Sequence, residues 1–168
     1  MDMTAYALKL AGVPARQLFA SGKDASIRAH LARNHEIDHV YADALHRPIH
    51  DYRPGVDNER SHDGVDLYVA GPPCQPWSQN NIGASGIDDP RGRLFQASID
   101  FIIGAQPRAS ILENVCGMIR SGGGRYLQDT LGTLRRGGYH VRWERIDALR
   151  LGLPHSRPRL YVWGFARI

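Results

Sequence analysis

A lone cysteine stands in the segment Asp66-Leu67-Tyr68-Val69-Ala70-Gly71-Pro72-Pro73-Cys74-Gln75-Pro76-Trp77-Ser78. Val65 to Ala70 reads as a buried strand, and three prolines in five residues stiffen the loop after it by fixing φ and removing amide donors. A thiol there is presented at the carboxyl end of a strand on rigid backbone, which pre-positions a nucleophile. Cysteine is partly thiolate near neutral pH and attacks soft carbon electrophiles without strong extra activation. The competing reading is a small buried hydrophobe. Glu113, at the end of a second apolar strand, offers either an acid for the same chemistry or a salt-bridged strand-end carboxylate. Arg157 and Arg159 alternate at strand spacing and so point to one side, where two guanidinium groups suit a carbonyl, a phosphate or the orientation of Glu113. An exposed pair on an edge strand is the plainer alternative.

Helical stretches alternate with short β-branched or aromatic runs. The spacing predicts helices over 3–11, 25–34, 94–104 and about 126–136, and strands over 17–20, 39–42, 65–70, 110–112, 140–146 and 160–165. Residues 47–64 carry two prolines and many charges and read as a loop. Strands separated by helices argue for βαβ units and a parallel sheet, with ligands gathered outside the carboxyl ends of the strands. No internal repeat or low-complexity tract interrupts the pattern.

The composition frames this as one globular domain. Of 168 residues, 42% are hydrophobic and 23% charged, which argues against disorder. No apolar stretch reaches the roughly 18 residues of a membrane helix, and Met1-Asp2-Met3-Thr4 lacks a basic n-region, so a soluble intracellular protein is expected. Two cysteines, Cys74 and Cys116, are too few and too far apart for a disulfide framework or a paired-cysteine zinc site. His30, His35, His39, His46 and His50 are dense, but nothing in the second half completes a ligand set, and no metal is expected. The triple glycine 122–124 lacks the lysine and hydroxyl of a P-loop and reads as a flexible loop. Trp77 and Trp143 read as packing residues rather than stacking platforms.

Charge is uneven. Residues 119–168 hold ten arginines against three acids, a net of +7, while residues 1–118 carry a net of −3. Only Lys9 and Lys23 are lysines, so the positive charge rests on planar arginine forks suited to phosphate and base edges. Codon bias in a GC-rich genome explains an arginine excess equally well.

The run Gly71-Pro72-Pro73-Cys74-Gln75-Pro76-Trp77-Ser78 closely resembles the nucleophile loop of the cytosine carbon-5 DNA methyltransferases. Asp89-Pro90-Arg91-Gly92-Arg93-Leu94-Phe95, Glu113-Asn114-Val115 and Leu153-Pro154-His155-Ser156-Arg157-Pro158-Arg159-Leu160-Tyr161 resemble three further blocks of that family in order and spacing. The resemblance implies an α/β fold, a doubly wound, mostly parallel sheet with flanking helices of the S-adenosylmethionine-dependent methyltransferase type. It implies that residues 1–168 are a partial catalytic domain, without the central first strand, its Gly-rich turn or a target-recognition domain. Neighbouring strands would then have unpaired edges unless another segment or chain fills the gap.

By this resemblance Cys74 adds to carbon 6 of a flipped-out cytosine, and carbon 5 takes a methyl group from S-adenosylmethionine. Glu113 contacts ring nitrogen 3 and the exocyclic amine, and Arg159, with Arg157 beside it, serves the cytosine site. Asp43 matches the acid that meets the adenine amine, and Pro72, Pro73 and Leu94 lie near the methionine portion. The family's ribose-binding acid is replaced here by Gly22, with Asp24 as an imperfect substitute, and His155 stands where the family usually has Gln. DNA is the implied partner, as in restriction–modification, together with a complementing chain or segment. The implied location is the bacterial cytoplasm or nucleoid, or the nucleus of a eukaryote. Two alternatives stay open: an RNA cytosine-5 methyltransferase, and a non-catalytic remnant acting as a nucleic-acid-binding or partner-regulating module.

Overall fold

The computed structural model describes residues 3–49, 52, 64–73 and 92–167. It comprises two compact units, residues 1–47 and 48–168. In the first unit, helix α1 (Met3–Leu10) precedes strand β1 (Gln17–Ser21), helix α2 (Ala25–Asn34) and strand β2 (Ile37–Tyr41). β1 and β2 pair in parallel, with Phe19 opposite His39 and Ser21 opposite Tyr41. Asp24 starts α2 as its N-cap: its Oδ1 accepts from Ser26 N and Ser26 Oγ, both at 2.7 Å, and from Ile27 N at 3.4 Å. These hydrogen bonds favour the ionised form and hold the Asp24 carboxyl below its ordinary pKa. Leu31 is the unit's buried aliphatic side chain, and the Arg47 guanidinium lies 4.7 Å from the Phe19 ring centroid.

The second unit is built on strands β3 (Leu67–Ala70), β4 (Ala109–Val115), β5 (Tyr139–Asp147) and β6 (Pro158–Ala166), in the spatial order β3-β4-β6-β5. β3 and β4 are parallel, and β6 runs antiparallel to both of its neighbours, β4 and β5. β3, β4 and β5 therefore share one direction. Helix α3 (Gly92–Ala105) buries Phe95, Ile99 and Ile102 at helical spacing, with Phe101 also enclosed. Phe101 packs on Tyr68 of β3, with ring centroids 4.7 Å apart. Helix α5 (Arg125–Arg136) buries Leu127, Leu131 and Leu134, again one stripe. Each such enclosed leucine contributes about 2 kcal/mol of apolar burial.

Several sequence expectations shift. The strand expected over 110–112 runs from Ala109 to Val115, so Glu113 and Asn114 lie inside β4 instead of after it. The expected flexible loop at Gly122–Gly124 is a compact turn with φ of +58°, +66° and +85°, which a side chain would strain; it follows the short helix α4 (Gly117–Arg120) and leads directly into α5. Trp143, expected to pack, is 42% exposed on β5. β1 pairs with β2 alone and β3 with β4 alone among the described residues, in two separate sheets. No described helix is long and apolar enough to cross a membrane.

Candidate active site

The carboxyl ends of β3 and β4 and the start of β6 meet at a cleft of about 310 Å³, lined by Gly71, Pro72, Pro73, Glu113, Val115, Arg157 and Arg159. Parallel pairing of β3 with β4 brings the first proline loop beside Glu113, since Ala70 lies opposite Leu112. A Cβ at Gly71 would stand 3.1 Å from Glu113 Oε2, so the carboxyl end would have to shift by a few tenths of an ångström to admit it.

β4 alternates: Ser110, Leu112 and Asn114 face the core, whereas Ile111, Glu113 and Val115 are less enclosed. Arg159 pairs with Val115 across the antiparallel β4–β6 ladder, so it reaches Glu113 diagonally on the same face. Its Nε donates to Glu113 Oε1 at 2.9 Å, and its terminal nitrogen donates to the Pro158 carbonyl at 2.9 Å. The two side chains are 21% and 33% exposed, so solvent screens the pair and its net stabilisation is about 1 kcal/mol or less. Its main effect is geometric: it holds a carboxylate and a guanidinium in one orientation at the mouth of the cleft.

Two residues to which the sequence reading gave no role of their own secure this arrangement. Asn114 is buried; its Oδ1 accepts from Val115 N at 2.9 Å, and its Nδ2 lies 3.4 Å from the Pro72 carbonyl, to which it donates. It ties the proline loop to β4. Asp147, the last residue of β5, accepts from Leu149 N at 3.1 Å, Ser156 Oγ at 2.8 Å and Arg157 N at 2.8 Å. These bonds favour its ionised form and hold its carboxyl below the ordinary aspartate pKa. They also fasten the Gly152–Arg157 connection immediately before β6, which places Arg157 in the cleft. Signals for both were present: a polar residue on the buried phase of a strand, and an aspartate leading into a Leu-Gly-Leu-Pro turn.

Pro72, Pro73, Glu113, Arg157 and Arg159 are thus brought together. Leu94 lies in the first turn of α3, where its carbonyl accepts from Ser98 Oγ at 3.0 Å, and it does not line the cleft. Asp43 belongs to the first unit and caps a 3-10 turn (Ala44–His46), its Oδ1 accepting from Leu45 N at 2.9 Å. Gly22 donates its N–H to the Tyr41 carbonyl at 3.0 Å and supplies no acidic group, while the side-chain hydrogen bonds of Asp24 among the described residues fall on its Oδ1. Cys74, with Gln75 to Ser78 and the Asp89–Arg91 part of the second block, lies outside the described residues.

A mixed α/β sheet with its polar cleft at the strand carboxyl ends is the architecture of the S-adenosylmethionine-dependent methyltransferases. The chain superposes on the Schizosaccharomyces pombe Dnmt2 methyltransferase with a TM-score of 0.71, at 22% identity, over 98% of this chain and 46% of that one. It superposes on the Entamoeba histolytica methyltransferase EhMeth with a TM-score of 0.63, at 17% identity, over 90% and 45%. The C-5 cytosine-specific DNA methylase family model matches residues 3–167, and the chain belongs to that family. Among curated relatives, it is 39% identical over 101 residues to the type II methyltransferase M.NgoBI of Neisseria gonorrhoeae, covering 60% of this chain and 32% of that protein. It is 30% identical over 149 residues to M.NgoPII of the same organism, covering 88% and 41%. The matches therefore span about a third to two-fifths of these relatives' length.

Proposed function

We propose that this chain is part of the catalytic domain of a DNA cytosine-5 methyltransferase that acts through a covalent cysteine adduct. The observation that supports this most directly is the convergence of the proline loop, Glu113, Arg157 and Arg159 on one cleft, in a chain of that family. Cytosine is a poor electrophile at carbon 6. A thiolate adding there needs a partner at ring nitrogen 3 to absorb the developing charge.

In this reading the target cytosine leaves the duplex and enters the cleft. Cys74, the residue after Pro73, forms the bond to carbon 6. Glu113, when it carries a proton, donates it to nitrogen 3 and accepts from the exocyclic amine, held in orientation by Arg159, while Arg157 supplies a second donor for the carbonyl or a flanking phosphate. Once carbon 5 carries the methyl group, loss of its proton to solvent and cleavage of the carbon 6–sulfur bond free Cys74 as a thiolate and leave 5-methylcytosine in the strand.

S-adenosylmethionine, when bound, supplies an electrophilic methyl group. By the family resemblance, Asp43 of the first unit is assigned to the adenine amine, as a carboxylate acceptor, and Pro72, Pro73 and Leu94 of the second unit are assigned to the methionine portion, as apolar groups. At Gly22 only backbone is available for the ribose, so the cofactor contact there is weaker than an acid would give. Among the described residues β3 is at an edge of its sheet, which suits a strand supplied by another segment or a complementing chain. The bacterial relatives favour a cytoplasmic, DNA-associated setting.

The test is trapping with a 5-fluorocytosine duplex in the presence of S-adenosylmethionine. A covalent protein–DNA adduct is expected, and it should disappear in Cys74→Ser. An adduct that persists in that variant overturns the assignment of the nucleophile. An adduct formed with 5-fluorocytosine RNA and not with DNA would move the substrate to the RNA alternative.

A further inference from the structure

A second cleft, of about 450 Å³, lies on the same unit and is lined by Arg135, His140, Arg142 and Arg167, with Tyr139 and Val141 between them. Arg135 comes from the last turn of α5, His140 and Arg142 from β5, and Arg167 follows β6 directly. The register fixes its position. His140 pairs with Phe165, which pairs with Ala109, while Glu113 pairs with Tyr161 and through it with Glu144. The basic cleft is therefore at the amino end of β4 and the Glu113 cleft at its carboxyl end. Their rows are four residues apart, about 13 Å along the strands, and β6 lies between β5 and β4.

All four basic side chains are exposed, and none has a hydrogen-bonding or ion-pairing side-chain partner among the described residues. The acids of β5, Glu144 and Asp147, do not line the cleft. Three permanent charges line one cleft without a counter-charge among the described residues, with Arg135 favourably placed at a helix C-terminus. Mutual repulsion of unpaired cations is relieved by an anionic ligand. A ligand with one charge leaves most of that repulsion in place, whereas a polymer bearing phosphates at regular intervals satisfies each guanidinium separately. β5 is also an edge of its sheet among the described residues, with outward backbone N–H groups that can add further donors.

We propose that this cleft is a second nucleic-acid site, distinct from the base-binding cleft, that grips the sugar–phosphate backbone of duplex DNA without reading its sequence. The choice of DNA as the polyanion rests on the proposed function; the location and charge of the site do not. Backbone contacts of this kind set orientation and raise the local concentration of substrate.

The test measures binding of the full chain to a short duplex of random sequence across salt concentrations. The triple variant R135A/R142A/R167A should bind at least about tenfold more weakly at low salt, and its log–log salt slope should flatten by about two to three, since each lost phosphate contact removes about 0.9. The charge-matched variant K9A/R33A/R120A, whose three cations lie outside the cleft, should change affinity by less than about threefold. Equal losses in the two variants, or no loss in the first, overturn the proposal. Inorganic phosphate that saturates the His140 and Arg167 resonances, with no further shift on adding duplex, would assign a small-anion site and overturn it too. Polyglutamate binding as tightly as DNA would do the same in favour of an acidic protein. Failure of 5-fluorocytosine trapping with arginine-dependent DNA binding intact counts against the catalytic reading alone.

Discussion

The two clefts of the second unit use the same residue type under opposite constraints. At the carboxyl end of β4, Arg159 is held 2.9 Å from Glu113, and Arg157 is fastened through its own backbone to Asp147. At the amino end, Arg135 of α5, Arg142 of β5 and Arg167, just after β6, carry no such restraint among the described residues. Tethered charge has one geometry, so it can favour one planar ligand in one pose; untethered charge adjusts to whichever phosphates arrive. The first arrangement suits chemistry on a base, and the second suits sequence-independent grip.

The contrast breaks most sharply at the nucleophile. Cys74→Ser should lower methyl transfer by at least about 10⁴-fold in single-turnover assays while leaving random-duplex binding unchanged, because only the first cleft performs covalent chemistry. Next, Glu113→Gln should slow adduct formation by about 10² to 10³-fold, read as the rate of 5-fluorocytosine trapping, since it weakens both the contact to the ring and the pair with Arg159. A loss seen only in DNA affinity would make Glu113 a structural carboxylate.

Asp147 tests whether tethering itself matters. Asp147→Ala should accelerate amide hydrogen exchange at Leu149 and Arg157 and lower the rate of trapping by about tenfold, with Asp147→Asn intermediate because it retains one acceptor oxygen. The pH dependence has a definite sign. The Asp147 carboxyl is held below its ordinary pKa in the folded chain, so its contribution is fully present above the usual aspartate range and is lost as pH falls through the lowered value. Protection of the Arg157 amide should therefore persist at neutral pH and collapse only in acid.

The smallest effect belongs to the scaffold beside the basic cleft. The buried Tyr139 hydroxyl donates to the Pro107 carbonyl at 2.8 Å, with the Ile102 carbonyl 3.2 Å away. Tyr139→Phe should cost about 1 kcal/mol, a fall in Tm of about 2–4 °C by calorimetry. Burial pushes the phenol up to about 12, so the stability it confers is complete below its usual pKa of about 10 and is lost as pH rises towards 12.

Much of the scaffold was legible in advance. The helix expected over 25–34 is α2 from Ala25 to Asn34, because Asp24 caps it and Leu31 turns inward. Strand ends were less legible. β4 extends through Glu113 because ladder pairing with β6 continues to Val115, a long-range partner that local apolar runs do not reveal. Trp143 was expected to pack and is exposed, since nothing in its neighbourhood along the chain says that β5 is an edge strand among the described residues.

For the site, residue types and spacing along the chain were enough to nominate the proline loop, Glu113 and the two arginines, because stiff backbone and strand alternation are local properties. Which of them share a cleft was decided only in three dimensions. The parallel β3–β4 pairing and the antiparallel β4–β6 ladder set those distances, and Asn114 and Asp147 acquire their roles through hydrogen bonds that exist only once the strands have met. The arginine excess of residues 119–168 was countable from composition, but its division into a tethered pair and an unpaired triad was not. Net charge is a sum over residues, whereas a binding site depends on which charges the fold brings within reach of one another and which it leaves without a counter-charge.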